Sequence, residues 1–275
     1  MSKTIVITGA SDGIGASGAR RLSADGHTVV VVGRSPDKTA AVARELGCEY
    51  HVADFSSFAE VRRLAKELDS RHPRIDVLVN NAGGVFGDRA KTVDGFEKTL
   101  QVNHLAPFLL TNLLLGKLLE FQASVIQTSS SGARLFGDLD LDDLANERDV
   151  AAHRAYGDTK LANILFTREL HVRYHAQGLS AAAFHPGAIA TSFASDTTSF
   201  MRFVYRNPVG RIFLGTPEKG ARQLVWLAEG RPGTDWQSGV YYENRRPARR
   251  TNPQANDAAL AARLWDRTAA MVGLA

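Results

Sequence analysis

Thr4-Ile5-Val6-Ile7-Thr8-Gly9-Ala10-Ser11-Asp12-Gly13-Ile14-Gly15 is the stretch on which the fold turns. Its first part is apolar and β-branched, the composition of a strand buried on both faces. Glycines at 9, 13 and 15 then make a turn, and Ala16 to Ala24 reads as a helix. Strand, glycine turn and helix in this order are the setting of a dinucleotide-phosphate site. Glycine lets the backbone turn tightly and approach a pyrophosphate, while free N–H groups at the helix start attract its charge. A glycine-rich turn alone could be an ordinary connection; the flanking strand and helix favour the nucleotide reading. Gly9, Ser11, Asp12, Gly13, Ile14 and Gly15 are the contacts expected from this loop.

The same alternation continues to the end of the chain. Strands are expected near 3–8, 28–32, 49–53, 75–79, 123–128, 179–184 and 239–242. Helices are expected near 13–24, 37–46, 56–71, 93–119, 154–176, 217–229 and 257–271. Repeated βαβ units imply right-handed crossovers and helices on both faces of the sheet. The expected class is α/β, a doubly wound Rossmann fold with a mostly parallel seven-stranded sheet. With no internal repeat or composition break, residues 1–275 read as a single domain. Residues 131–153 and 188–216 break the rhythm after strands, over the carboxyl edge where such sheets bind ligands. Loops this long are expected to wall and cover a substrate site.

Apolar content of 44% and 23% charged residues are ordinary for a soluble globular chain. A single cysteine, Cys48, excludes an internal disulfide and fits a cytoplasmic location. Met1-Ser2-Lys3 runs straight into the first strand, leaving no room for a signal peptide. No apolar run approaches the ~18 residues of a membrane span. The net charge of +4 is mild. Its local concentration at Arg245, Arg246, Arg249 and Arg250 reads as a solvated loop in preference to an anion contact. Nucleic-acid binding is not expected, because no recognition motif or interleaved aromatics accompany the arginines.

Tyr156-Gly157-Asp158-Thr159-Lys160 places a phenol and an ammonium one helical turn apart. A free phenol titrates near pH ~10 and moves protons poorly at neutrality. An adjacent cation favours the phenolate and brings it into a useful range. Hydride transfer to a carbonyl builds negative charge on oxygen, so a site for it needs donors aimed at that atom.

With these residues in place, the chain resembles the short-chain dehydrogenase/reductase family over essentially its whole length. Thr8 to Gly15 looks like the family's nucleotide loop, and Asn80-Asn81-Ala82-Gly83 like its motif after the fourth strand. Asn103 in Gln-Val-Asn-His matches its active-site asparagine, and Ser129-Ser130 its serine motif. Pro186-Gly187 followed by Thr191 matches its nicotinamide segment. Leu161 to Leu170, the long gap from Ser130 to Tyr156, and Asn252-Pro253-Gln254-Ala255 with Leu264-Trp265 are similar to the retinol-dehydrogenase-like branch.

The resemblance implies an oxidoreductase with catalytic Asn103, Ser130, Tyr156 and Lys160. Tyr156 would exchange the proton, Ser130 would hold the substrate oxygen, and Lys160 would bond the nicotinamide ribose. Asn103, at a helix kink, would connect Lys160 to solvent protons through water. Further implied cofactor contacts are Asn80, Ala82, Gly83, Pro186, Gly187, Ile189 and Thr191, with Asp54 at the adenine.

Cofactor preference is read at the second strand. An NAD enzyme usually carries Asp or Glu about 20 residues beyond the glycine loop. Here Val29 to Val32 ends in Gly33-Arg34-Ser35, and the Arg34 guanidinium suits a 2′-phosphate. Asp12 adds opposing negative charge, but Arg34 outweighs it and NADP(H) is favoured over NAD(H).

Phe86, Phe136 and Phe193 are candidate substrate contacts among the aromatics of the two long segments. Phe200, Phe203 and Val204 at helical spacing read as a lid helix, as an entrance for an apolar substrate, or as shallow membrane contact. His171 and His175 have metal-pair spacing but no third ligand, so no metal is assigned. By family analogy the helices near 104–119 and 157–173 pair subunits in a homodimer or homotetramer. The expected activity is a carbonyl reductase or alcohol dehydrogenase acting on an apolar substrate. A non-catalytic NADP(H)-binding sensor should lack Tyr156, Lys160 or the serine. A sugar-nucleotide epimerase or dehydratase should show a different glycine spacing and a longer C-terminal portion.

Overall fold

The computed structural model describes residues 2–86, 90–144, 151–187 and 215–274. The sheet order is β3-β2-β1-β4-β5-β6-β7-β8. Its strands are β1 Thr4–Thr8, β2 Thr28–Gly33, β3 Glu49–Val52, β4 Val77–Asn80, β5 Ser124–Thr128, β6 Ser180–His185, β7 Val240–Glu243 and β8 Arg246–Pro247. All neighbours are parallel except β7 and β8. The order reverses between β1 and β4, which opens the ligand crevice over their carboxyl ends.

The helices follow the signals in the sequence. Among the described residues they are α1 Gly13–Ala24, α2 Pro36–Leu46, α3 Phe58–Arg71, α4 Lys98–Leu100, α5 Ala106–Leu113, α6 Leu115–Glu120, α7 Gly132–Leu135, α8 Ala152–Tyr174, α9 Pro217–Glu229 and α10 Ala258–Met271. α2 starts on Ser35 with Pro36 in its first turn, and ends on Gly47 at φ 62°. Apolar residues of α1, α2 and α9 pack on one face of the sheet with Ile5, Val29 and Val31. Those of α3, α5, α8 and α10 pack on the other with Val6, Val30 and Leu78.

The structure corrects two expectations. The sheet has eight strands, because Asn244 and Arg245 both take positive φ and fold β7 back into the short β8. This is the geometry of a primed two-residue hairpin, made here without the glycine that usually signals one. Arg245, Arg246, Arg249 and Arg250 are all exposed, in keeping with the solvated reading. Second, no continuous helix spans 93–119. Gly95 turns at φ 86°, the helix starts at Lys98, and Gln101–Leu105 widens into a π-turn before α5.

Within the chain, α10 packs against α5 and α8. Trp265 of α10 meets Phe108 at 4.9 Å and Phe166 at 5.6 Å between ring centres. Arg173 lies over the same indole.

Candidate active site

The site begins at the crossover between β1 and β4. Gly9 and Gly13 hold φ of 64° and 56°, which side chains rarely adopt. Asp12 caps α1, its carboxylate accepting from the Gly13 N–H at 2.7 Å. A Cβ on Gly15 would lie 2.3 Å from the Gly9 carbonyl oxygen, so only glycine permits the loop's closure. The first-turn N–H groups of an α-helix have no partner within it, and those of α1 follow directly on this loop. The loop and helix start therefore fit a dinucleotide pyrophosphate.

Asn81, whose role the sequence does not single out beside Asn80, Ala82 and Gly83, ties the cradle together. Its carboxamide donates to the carbonyls of Thr8 and Gly9 and accepts from the Thr128 hydroxyl at 3.2 Å. Asn80 instead turns its amide to Thr111 at 2.9 Å, on the helix side of the sheet. Only the tertiary structure separates these two adjacent asparagines: Asn80 ends β4, Asn81 begins the loop beyond it, and each meets a different segment.

Arg34 is exposed at the end of β2. Lys38, one turn into α2, reaches the Asp12 carboxylate at 3.3 Å. This cation offsets the negative charge that weighed against a 2′-phosphate. Asp54 follows β3, and its carboxylate accepts from the Ser56 N–H at 2.9 Å. Pro186 and Gly187 follow β6, with Gly187 at φ 96°. Ile189, Thr191, Phe193 and the segment around Phe200 lie outside the described residues.

The proposed proton-transfer residues meet over β4 and β5. Lys160 is buried and its ammonium donates to the Thr128 carbonyl at 2.9 Å. Burial pushes its pKa down to about 8. The ammonium lies 5.6 Å from the centre of the Tyr156 ring, as one-turn spacing on α8 requires. Gly132 shows how closely the serine approaches: a Cβ there would lie 3.0 Å from Tyr156 Cε1 and 3.4 Å from Ser130 Oγ. Ser130 Oγ accepts from the Gly132 N–H. Ser129 is buried and donates to the Lys160 carbonyl at 2.7 Å, a structural bond that sets it apart from Ser130.

Asn103 sits within the π-turn. Its side chain exchanges hydrogen bonds with the Gly84 backbone, donating at 2.9 Å and accepting at 2.8 Å. It also donates to Thr159 Oγ1. A Cβ on Gly83 would lie 2.8 Å from Asn103 Oδ1 and 3.4 Å from Lys160 Nζ, so glycine lets these two groups close over the backbone. The Asn103 carbonyl accepts from Asn163 Nδ2 at 3.0 Å. Asn163 Oδ1 in turn meets buried His104, whose other nitrogen meets Thr268 of α10. Burial holds His104 down to about 4, so it is neutral at physiological pH and serves as a rigid bridge.

Three further residues lie beside these groups. His185 Nδ1 accepts from the Ser131 N–H at 3.2 Å, joining the end of β6 to the serine segment. Burial keeps its pKa low, which preserves that acceptor. Phe136 is exposed beside His153 and packs against Gly157, next to Tyr156. Phe86 is buried under the Lys98 ammonium and against Gly84. The His171 and His175 rings stack at 4.6 Å. Acting against the Tyr156 reading is nothing in the second phenol nearby, because burial and Glu243 push the Tyr241 pKa up and keep it protonated.

The short chain dehydrogenase family model matches residues 3–201. The chain belongs to that family. It is 36% identical over 286 residues to human retinol dehydrogenase 13, covering 99% of this chain and 85% of the relative. It is 41% identical over 278 residues to a protein of Streptomyces sp. (strain C5) provisionally named daunorubicin C-13 ketoreductase, covering 98% of this chain and 93% of that one. A short-chain dehydrogenase from Shigella flexneri complexed with NADP superposes with a TM-score of 0.66 at 25% identity, covering 87% and 95% of the two chains. The 3-ketoacyl-(acyl-carrier-protein) reductase of Brucella melitensis complexed with NADH gives 0.68 at 25%, with the same coverages. The protein is thus an oxidoreductase of retinol-dehydrogenase-like sequence whose fold binds a nicotinamide cofactor. Among the described residues no helix is long and apolar enough to cross a membrane.

The buried ammonium makes stability depend on pH. The unfolded Lys160 titrates at its ordinary 10.5 and the folded one at about 8. Between those values the unfolded chain binds more protons, so folding is favoured increasingly as pH rises. Relative to Lys160→Met, the nucleotide-free wild type should gain up to about 3 kcal/mol from pH 8 to 10.5. Urea unfolding of both proteins across that window checks this, and a constant difference would contradict it.

Proposed function

We propose that this protein is an NADP(H)-dependent oxidoreductase for a bulky apolar substrate. It moves a hydride between nicotinamide and a ketone or aldehyde, or the corresponding alcohol. The observation carrying this reading is the approach of Ser130 Oγ and the Tyr156 ring around Gly132, with the Lys160 ammonium behind the phenol. When bound, the nicotinamide supplies or accepts the hydride.

In reduction, Tyr156 donates its phenolic proton to the oxygen on which charge develops. Ser130 holds that oxygen through its hydroxyl. Lys160, fixed by the Thr128 carbonyl, stabilises the phenolate left behind and retains further N–H groups for the nicotinamide ribose. The second lone pair of the Asn103 carbonyl can hold the water through which protons return. Oxidation of an alcohol reverses each step. The two relatives are named for ketoreduction of daunorubicin at C-13 and for dehydrogenation of retinol, and those names support the bulky apolar class. Phe136, Phe86 and Phe193 are the proposed apolar contacts. A purely sensory role would leave the Tyr156, Lys160 and Ser130 arrangement without purpose.

Neighbours at 25% identity hold either NADP or NADH, so the NADP(H) preference rests on Arg34, with Lys38 relieving Asp12. Arg34→Ala should raise the KM for NADPH by about 10–100-fold, the value of one charged hydrogen-bonding contact. The KM for NADH should change by less than about threefold. Steady-state kinetics with both cofactors decide; equal losses would refute the assignment. Screening retinoid, steroid, fatty-aldehyde and polyketide carbonyls for NADPH oxidation tests the substrate class.

A further inference from the structure

Three metal-ligating side chains gather at the edge of the sheet far from the catalytic residues. Glu49 and His51 alternate on β3 and so share one face of it. His72 is the C-cap of α3, which packs over that edge. Their ligand atoms lie within 4.8 Å of one another. The two histidines face each other directly, with His51 Nε2 and His72 Nε2 3.2 Å apart. Glu49 Oε2 is 3.6 Å from His72 Nε2.

Two imidazoles on a tetrahedral zinc, with bonds of about 2.0–2.1 Å, hold their nitrogens roughly 3.4 Å apart. The observed gap is close to that. The remote nitrogen of His51 is already fixed: Nδ1 contacts Glu67 Oε2 at 3.0 Å, and Arg63 holds the other Glu67 oxygen at 2.6 Å. A carboxylate on Nδ1 selects the tautomer whose Nε2 lone pair points into the gap, and such outer partners accompany histidine ligands at metal centres. Both histidines are buried, while Glu49 is exposed and can swing inward.

We propose that Glu49, His51 and His72 bind one divalent transition cation, zinc by preference, with water completing the coordination. Two imidazoles and a carboxylate suit zinc better than magnesium or calcium. In the metal-free protein a proton on His72 Nε2 bridges to His51. On binding, His72 shifts that proton to Nδ1 and both Nε2 lone pairs coordinate, so no proton is released from the neutral pair. Arg71, 3.6 Å from Glu49 and exposed, must move aside. Lys117 stays on the His72 carbonyl and the Asp69 carboxylate.

Glu49 starts β3, whereas Asp54 and the nucleotide crevice lie beyond its other end. The cation would therefore clip the edge strand to α3 and take no part in hydride transfer. Two strand positions and a residue one helix later have no motif spacing, which is why the sequence does not show them.

The test uses full-length protein without a histidine tag, stripped with chelator. Calorimetric titration with Zn²⁺ and absorption with Co²⁺ should show one site, and saturating Zn²⁺ should raise Tm by ~5 °C. His72→Gln should weaken binding at least ~100-fold and Glu67→Gln about 10-fold. Glu49→Gln, at an exposed position that leaves folding intact, should weaken it at least ~10-fold and serves if His72→Gln does not fold. NADPH affinity should not change with Zn²⁺. Absence of one-to-one binding by the wild type, or unaltered affinity in these variants, would overturn the proposal.

Discussion

Tyr156→Phe is expected to lower kcat/KM for carbonyl reduction by about 10³-fold, within the range contributed by a positioned general acid. The substitution removes one oxygen and keeps the ring, so the contacts with Gly132 and the face presented to Lys160 persist. Neither the glycine cradle nor Arg34 is touched, and the Kd for NADPH should stay within about threefold of wild type. Isolated loss of turnover is what separates a proton donor from a packing residue. Stopped-flow reduction and fluorescence titration of NADPH measure the two quantities. Retention of wild-type turnover would remove Tyr156 from the chemistry; joint loss of turnover and binding would assign it to the cofactor site.

Gly15→Ala should raise the Kd for NADPH by at least about 100-fold and lower Tm. The added methyl meets three atoms at once: the Gly9 carbonyl oxygen at 2.3 Å, Asn81 Nδ2 at 2.7 Å and Ala10 Cα at 2.9 Å. Two of the three are backbone, so no side-chain rotation relieves the overlap and the loop must open. Opening it moves the N–H groups that face the pyrophosphate and breaks the Asn81 bonds to Thr8 and Gly9. Gly116→Ala is the control, since a Cβ there meets nothing within 4 Å. Comparable NADPH affinity in both variants would show that the cradle is not where the nucleotide binds.

Features that depend on neighbouring residues were legible in advance. Thr4 to Ala24 announces strand, turn and helix through composition alone, and Tyr156 and Lys160 must share a face once α8 is a helix. The kink at Asn103 was legible only through the family resemblance: no residue in Gln101–Leu105 signals a π-turn, and the Asn103 carbonyl is engaged by Asn163 from another helix. The β7–β8 hairpin escaped notice because Asn244 and Arg245 supply the positive φ without glycine. Helices α5 and α8 showed apolar faces, but nothing local revealed that Trp265 would pack against Phe108 and Phe166.

The sequence by itself determined the strand–helix alternation, the glycine loop and the one-turn pairing of Tyr156 with Lys160, because periodicity, φ preference and one-turn spacing are local properties. Tertiary structure alone decided that Asn81 and not Asn80 braces the loop, that Lys38 answers Asp12, that Ser129 is structural beside Ser130, and that His51 faces His72. Each of those depends on contacts between segments far apart in the chain, where burial and distance fix which polar groups meet.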